Sequence, residues 1–349
     1  MNIFLMENLK LATDLNNNLF FIAEAGVNHN GCLETATEMI SVAKECGADA
    51  VKFQTFTADS LATKTATQAE YQKVNTSKVE TQHAMLEKLE LKKEYHEILL
   101  KECNKNSIEF MSSPFDINAA EFLLNLGMKK FKIPSGEITN KPFLEYISRL
   151  NKPTILSTGM STIKEINEAI SIFSKNDFNI KNLSVLHATS DYPANPLETN
   201  MKCIATLREE LNCRIGYSDH TQSNHCAIVA ASLGATMFEK HFTLDKKMQG
   251  PDHKASLEPE DLKHYISSIR ETFKILGNGI KAPSSSELKN INIVRKSIVA
   301  RNKIKKGTKF TKDNLTTKRP GSGISPMQIE NIYGKKAPKD FQEDELIEI

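Results

Sequence analysis

The chain reads as an α/β protein, a TIM (β/α)8 barrel followed by a smaller domain, and three observations predict it. Eight short apolar runs recur: IAEAGVNHNG, VKFQT, FMSSPFD, FKIPSGE, ILSTGM, LHATSDYP, IGYSDH and FEKHFT. Eight segments with helical periodicity alternate with them, at 33–46, 92–106, 119–126, 142–150, 163–174, 197–211, 224–233 and 261–276. Nearly every apolar run ends in a polar or ionisable cluster, and a parallel barrel brings the carboxyl ends of all its strands to one rim. Alternation of this kind forces parallel pairing through crossover helices, and eight repeats is the number that closes a barrel. The alternative, an open doubly wound sheet, would gather site residues at one or two switch points only.

In chain order, residues 1–18 hold apolar side chains interrupted by Glu7, Lys10 and Asp14, which suits an N-terminal extension and not a signal peptide. The barrel is expected over 19–280. Gly47, Gly127, Gly234 and Gly277 stand where its helices should stop, and Pro153 opens a strand. Between strand two and its helix, 57–91 is long enough to lid a site or to hold a helix of its own. The text NGIKAPSSSE is linker-like and places a linker at 281–290. Residues 291–349 follow as a second domain of short strands and turns, basic as far as Arg319 and acidic at the end.

Composition narrows the classes. With 40% hydrophobic and 25% charged residues the chain is an ordinary globular one, and no apolar run reaches the span of a membrane helix. A formal net charge of +2 gives no reason to expect nucleic acid. Six cysteines without CxxC spacing read as free thiols in a reducing cytosol. Neither GxGxxG after a strand nor GxxxxGK[ST] occurs, so no nucleotide fingerprint is present.

The rim residues carry the chemistry. His220 and His241 end strands seven and eight, which are barrel neighbours, so two imidazoles can share one divalent ion and leave positions open for water and substrate oxygen. No third strong ligand is evident, which suits a Lewis acid completed by substrate. Lys132 and Ser135 in FKIPSGE, Ser113, and Ser157 with Thr158 populate the middle strand ends; a lysine among hydroxyls and backbone amides suits a phosphate. Singly, each hydroxyl reads equally well as a turn or helix cap. Lys52 adds a second positive charge, and the pair fits a phosphate and a carboxylate on one small molecule. Glu24 and Glu137 are candidates for holding sugar hydroxyls or moving a proton, or else for structural pairs with Lys52 or Lys132. Glu239 shares an inward face with His241 and is expected near the ion. The basic stretch reads as a solvated face or as a positive lid over an anion, with Arg319 the residue to test.

Taken together, IAEAGVNHNG, GADAVKFQTF, SSPFD, FKIPSGEITN, ILSTGM, LHATSDYP, GYSDHT, EKHFTLD, GPDH and KRPGSGISP closely resemble the bacterial N-acetylneuraminate (sialic acid) synthase family, from about Phe20 to the carboxyl end. The resemblance implies a phosphoenolpyruvate-condensing TIM barrel joined to a small C-terminal antifreeze-like (SAF) domain. It also implies a domain-swapped homodimer in which each small domain caps the partner's barrel. It puts the metal on His220 and His241, where imidazole plus oxygen ligands would admit manganese, magnesium or cobalt. Phosphoenolpyruvate falls on Lys52, Ser113, Lys132, Ser135, Ser157, Ser190 and Ser218, and the acylamino sugar on Glu24, Gln54, Asn75, Tyr192, Asp252 and Arg319, the last across the dimer. Glu137 matches a glutamate that assists proton transfer. Ser113 stands for a threonine of the family, and Ser190 for an asparagine of some members.

The expected reaction is condensation of phosphoenolpyruvate with N-acetylmannosamine and water to N-acetylneuraminate and phosphate, with C–O cleavage. The alternative is the same reaction on a 2,4-diacetamido-trideoxyhexose, giving legionaminic or pseudaminic acid. A Schiff-base aldolase using Lys132 or Lys52 is a lesser reading, disfavoured because strand six, LSVLHATS, carries no lysine. A non-catalytic glycan-binding protein is another, against which the ionisable rim argues.

Overall fold

A computed structural model describes residues 19–76 and 80–349; the extension 1–18 and part of the 57–91 insertion lie outside the described residues. The chain divides into two compact units, one ending at Gly279 and the other running over Ile280–Ile349.

Eight parallel strands form the first unit: β1 (Phe20–Gly26), β2 (Ala50–Thr55), β3 (Glu109–Pro114), β4 (Phe131–Ile133), β5 (Thr154–Ser157), β6 (Leu183–Ala188), β7 (Arg214–Asp219) and β8 (Met237–His241). Their order is β3-β2-β1-β8-β7-β6-β5-β4, and β1 pairs with β8 while β3 and β4 lie side by side where the ring closes. The expected TIM-type barrel is therefore the observed one. Crossover helices cover it: α1 (Leu33–Glu45), then, beyond the insertion, Lys93–Lys105, Ile117–Asn125, Lys141–Arg149, Ile163–Lys175, Cys203–Glu210, His225–Ser232 and Pro259–Leu276. Their starts are written locally. Asp116 and Asn140 accept backbone N–H bonds from Ala119 and Phe143, and Thr162 with Glu165 closes a capping box. At the other ends Gly47, Gly127 and Gly234 take positive φ, as a helix stop requires.

Alternation along the strands makes two cores. Outward residues such as Phe21, Val51, Phe53, Leu156 and Phe238 meet the helices. Inward, Ile22, Ala50, Met111, Ile155, Leu186 and Met237 fill the barrel as one buried apolar layer. Two residues further along β1, β2, β3 and β8 come Glu24, Lys52, Ser113 and Glu239, so the polar site stands on that apolar floor.

One expectation from the sequence is met, for the insertion, and two are overturned. The insertion holds three short helices, α2 (Ala58–Leu61), α3 (Glu70–Thr76) and α4 (Gln82–Glu87), fastened over the barrel by Val27, Phe56, Met85, Leu86 and Leu89. The helix expected over 197–211 is broken into a single turn, Pro196–Glu198, and Cys203–Glu210, because Asn200 between them takes φ 44°. A helix, Ser285–Val294, replaces most of the expected linker; Ser284 and Glu287 form its capping box, a signal present in the sequence but read as linker polarity.

In the second unit β9 (Ser297–Ala300) and β10 (Leu315–Lys318) pair antiparallel over a small core that includes Ile298, Ile304, Phe310, Leu315 and Phe341. The Ser285–Val294 helix buries none of its residues and leaves Leu288, Ile293 and Val294 exposed. All six cysteines are free thiols. Among the described residues no helix is long and apolar enough to cross a membrane.

Candidate active site

Strand register assembles the rim. Glu24 lies beside Lys52 on one side and His241 on the other, Gln54 beside Ser113, and Ser218 beside Glu239. Four charges are buried in one chain of contacts. Lys52 Nζ is 2.6 Å from Glu24 Oε2 and 3.6 Å from Glu239 Oε2, and Lys132 Nζ is 3.0 Å from Glu239 Oε1. Lys52 also donates to Ser113 Oγ at 3.0 Å, Ser218 Oγ to Glu239 Oε1 at 2.9 Å, and Gln54 Nε2 to Glu24 Oε1 at 3.3 Å. Two ammoniums balanced by two carboxylates can stay charged out of water, where one alone could not.

The carboxylates divide the work. Burial pushes the Glu24 carboxyl up to about 7, against the pull of Lys52. Burial acts on Glu239 in the same sense, but Lys132 and Lys52 outweigh it and hold that carboxyl well below the usual range. Glu239 is therefore the fixed anion and Glu24 the group able to carry a proton near neutrality. Burial lowers Lys132, whereas for Lys52 the two glutamates overcome burial and raise it.

Adjoining this chain at the ends of β7 and β8, the ring centroids of His220 and His241 are 5.5 Å apart. His220 donates Nδ1–H to the Thr189 carbonyl at 2.6 Å, which fixes the tautomer and leaves Nε2 with its lone pair. His241 Nδ1 is buried and meets no hydrogen-bonding partner. Burial lowers both imidazoles, His220 to about 4, so both are neutral at neutral pH, the form that a metal ligand needs. Gly26, at φ 53°, leaves room here: a Cβ would sit 3.4 Å from His241 Nδ1 and Glu24 Oε1. This donor set fits a divalent ion. Among the described residues no group of three or more His, Cys, Asp or Glu could hold one.

At the middle strands Gly159 N–H donates to Ser135 Oγ at 2.9 Å, and a Cβ at Gly159 would come within 2.1 Å of Ser190 Oγ. Ser135, Ser190 and the Gly159 amide thus converge, and the buried Ser157 Oγ lacks a partner. Tyr192, expected to meet the sugar, packs against His220 at 4.2 Å and His241 at 5.5 Å between centroids. Asn75 donates to the Pro251 carbonyl at 2.7 Å, beside the buried Asp252, whose carboxyl burial pushes up to about 6.

Some expectations are redirected. Glu239 bonds to the lysines and Ser218 and not to an imidazole, though its charge acts on both His220 and His241. Glu24 does pair with Lys52, while Glu137 pairs with neither lysine. It sits in the turn after β4 and accepts from Asn140 Nδ2 at 2.6 Å, the side chain that also caps the next helix. Arg319 belongs to the second unit, where it is exposed and its Nε donates to the Val294 carbonyl at 3.0 Å. Sequence reasoning missed Tyr71, which packs on Tyr192 at 5.0 Å from within the insertion; no motif marked it.

A parallel barrel with a charged rim and a small appended domain defines the class, that of sialic-acid-type synthases. The chain belongs to the NeuB family, whose model matches residues 39–281, and a SAF domain matches 295–348. It is 51% identical to N,N'-diacetyllegionaminic acid synthase of Campylobacter jejuni over 93% of this chain and 98% of that one. It is 34% identical to human N-acetylneuraminate-9-phosphate synthase over 94% and 91%. The crystal structure of N-acetylneuraminic acid synthetase from Leptospira borgpetersenii in complex with citrate superposes with TM-score 0.70 at 33% identity, covering 79% of this chain and 91% of that one.

Proposed function

We propose that the protein condenses phosphoenolpyruvate with a 2,4-diacetamido-trideoxyhexose and water, giving a legionaminic-type nonulosonic acid and phosphate. The single observation that carries the condensation is the buried Lys52–Glu239–Lys132 chain adjoining two neutral imidazoles on one rim. The choice of the diacetamido sugar over N-acetylmannosamine leans on the 51% identity to a diacetyllegionaminic acid synthase.

Phosphate and carboxylate of the enol phosphate suit Lys52, Lys132, Ser113, Ser135, Ser157, Ser190 and Ser218, which hold C3 toward the aldehyde carbon and remove the entropy of meeting. His220 and His241 would hold the divalent ion, Mn2+, Mg2+ or Co2+, which when bound supplies Lewis-acid polarisation of a carbonyl oxygen. As the C3–C1 bond forms, Glu24, partly protonated near neutrality, gives its proton to the emerging alkoxide. Water adds at C2, one of its protons passing to Glu137, and the C2 hydroxyl gives up its remaining proton to the bridging oxygen as phosphate departs with that oxygen. Gln54, Asn75, Tyr192 and Asp252 would hold the sugar. The exposed apolar side chains of the Ser285–Val294 helix support a homodimer in which the partner's Arg319 region completes that site.

Mass spectrometry of products from phosphoenolpyruvate and Mn2+ with each sugar tests the reading. A nonulosonic acid should form fastest from the diacetamido sugar. Faster turnover of N-acetylmannosamine would reverse the substrate assignment, and pyruvate trapped by borohydride would replace the reaction with a Schiff-base one.

A further inference from the structure

β7 and β8 carry another charged pair directly behind the site. Their register sets Ser218 beside Glu239 and Asp219 beside Lys240. Side chains alternate, so Ser218, His220, Glu239 and His241 face the barrel interior while Asp219 and Lys240 face the helical layer. Both are buried, with side chains 0% and 2% exposed, and Lys240 Nζ is 3.5 Å from Asp219 Oδ1. Neither touches the reactants in the reading above. As a stability device the pair is poor, because a hydrophobic pair of similar volume fills such a place equally well or better.

What the pair does hold is the chain around His220. β7 ends at Asp219, so His220 lies past the last ladder position. Asp219 Oδ1 accepts from both Thr221 N and Thr221 Oγ1 at 2.8 Å, and Lys240 Nζ donates to the Thr221 carbonyl. The residues on both sides of His220 are thereby tied to Lys240, the residue that precedes His241. The ring of Tyr265, from the Pro259–Leu276 helix, lies 5.6 Å from the same Nζ and backs the arrangement.

We propose that Asp219 and Lys240 are positioning residues that fix the spacing of the His220 and His241 imidazoles and so set affinity for the divalent cation. The inference rests on the metal reading given above. With two protein ligands and no third, a site has little redundancy, and loosening one imidazole costs most of its preorganisation. Loss of an outer partner of a metal ligand typically weakens binding about 10- to 100-fold.

The test uses the full chain stripped of metal by chelation, with no substrate present. Free Mn2+ is followed by electron paramagnetic resonance during titration, and folding by calorimetry. Lys240→Met alone leaves Asp219 buried and uncompensated and can fail to fold, so the informative variant is Asp219→Leu with Lys240→Met. It keeps no uncompensated charge, so it should fold, melting lower than the parent because the buried Thr221 N–H and carbonyl lose their partners, and it should bind Mn2+ at least about tenfold more weakly. A folded double variant with parental Mn2+ affinity overturns the proposal. His241→Ala separates the two ideas: if it too binds Mn2+ as the parent does, the metal reading itself has failed. Should the double variant not fold, Thr221→Ala removes one tie and leaves both charges. It should weaken Mn2+ binding by about threefold, a fraction of the full loss, and unchanged affinity there overturns the proposal as well.

Discussion

Lys132 Nζ and Glu239 Oε1 lie 3.0 Å apart, on β4 and β8, nearly opposite one another in the barrel. Glu239 is the counter-charge that allows Lys132 to be buried, and it shares that task for Lys52 with Glu24. Both lysines are therefore held in place by carboxylates.

Glu239→Gln should leave Lys132 without an ionic partner and lower stability by about 3 kcal/mol or more, as breaking a buried pair does. Ser218→Ala should cost only about 1 kcal/mol. Thermal melts compare the two, and phosphoenolpyruvate should return much of the Glu239→Gln loss by supplying the missing anion. A variant as stable as the parent contradicts the pairing.

Asp252 gives a pH signature. Burial raises its carboxyl from 3.8 to about 6 on folding, so the folded state holds the proton more tightly. The associated stability is full below about pH 4 and is lost as pH rises through about 6. Asp252→Asn should thus gain on the order of 2 to 3 kcal/mol over the parent above pH 7, and that gain should vanish below about pH 4. A difference in melting temperature that stays flat across this range removes the assignment.

Gly159 is where the serines close in. Gly159→Ala would press a methyl to 2.1 Å from Ser190 Oγ and 2.9 Å from Ser135 Oγ. Steady-state kinetics should show KM for phosphoenolpyruvate raised about tenfold, or about 1.4 kcal/mol, with the sugar KM little changed. Adding Ser190→Gly should recover part of it. Equal loss for both substrates would place these serines elsewhere in the reaction.

His220→Ala should abolish turnover while the barrel remains folded, since the ring contributes Nε2 to the site and its Nδ1 bond to Thr189 is replaceable by water. Normal turnover of the parent in stringently metal-free buffer would reject the metal role outright.

Arg319→Ala should raise KM for the acylamino sugar more than for phosphoenolpyruvate, the outcome that the family resemblance implies by putting Arg319 on the sugar across a dimer. Isothermal titration of each substrate checks it, and equal weakening of the two rejects the assignment.

Much of the fold was legible because its signals are local. The period-2 alternation in VKF or EKH sets which side chains face inward whatever the rest of the chain does. Helix caps at Asp116, Thr162 and Ser284 depend on residues three apart. The 197–211 misreading is also local in origin: apolar periodicity ran through Asn200, whose left-handed conformation the pattern does not reveal.

The sequence by itself determined the eight alternations, the single rim and the roster of ionisable groups on it, since each follows from a few neighbouring residues. Only the tertiary structure decided that Glu239 bonds to the lysines and not to the imidazoles, that Glu137 is held by Asn140, and that Tyr71 reaches Tyr192 from the insertion. Those pairings join residues of separate elements, and which atoms meet depends on the tilt and stagger of the closed barrel, a property of all eight strands together.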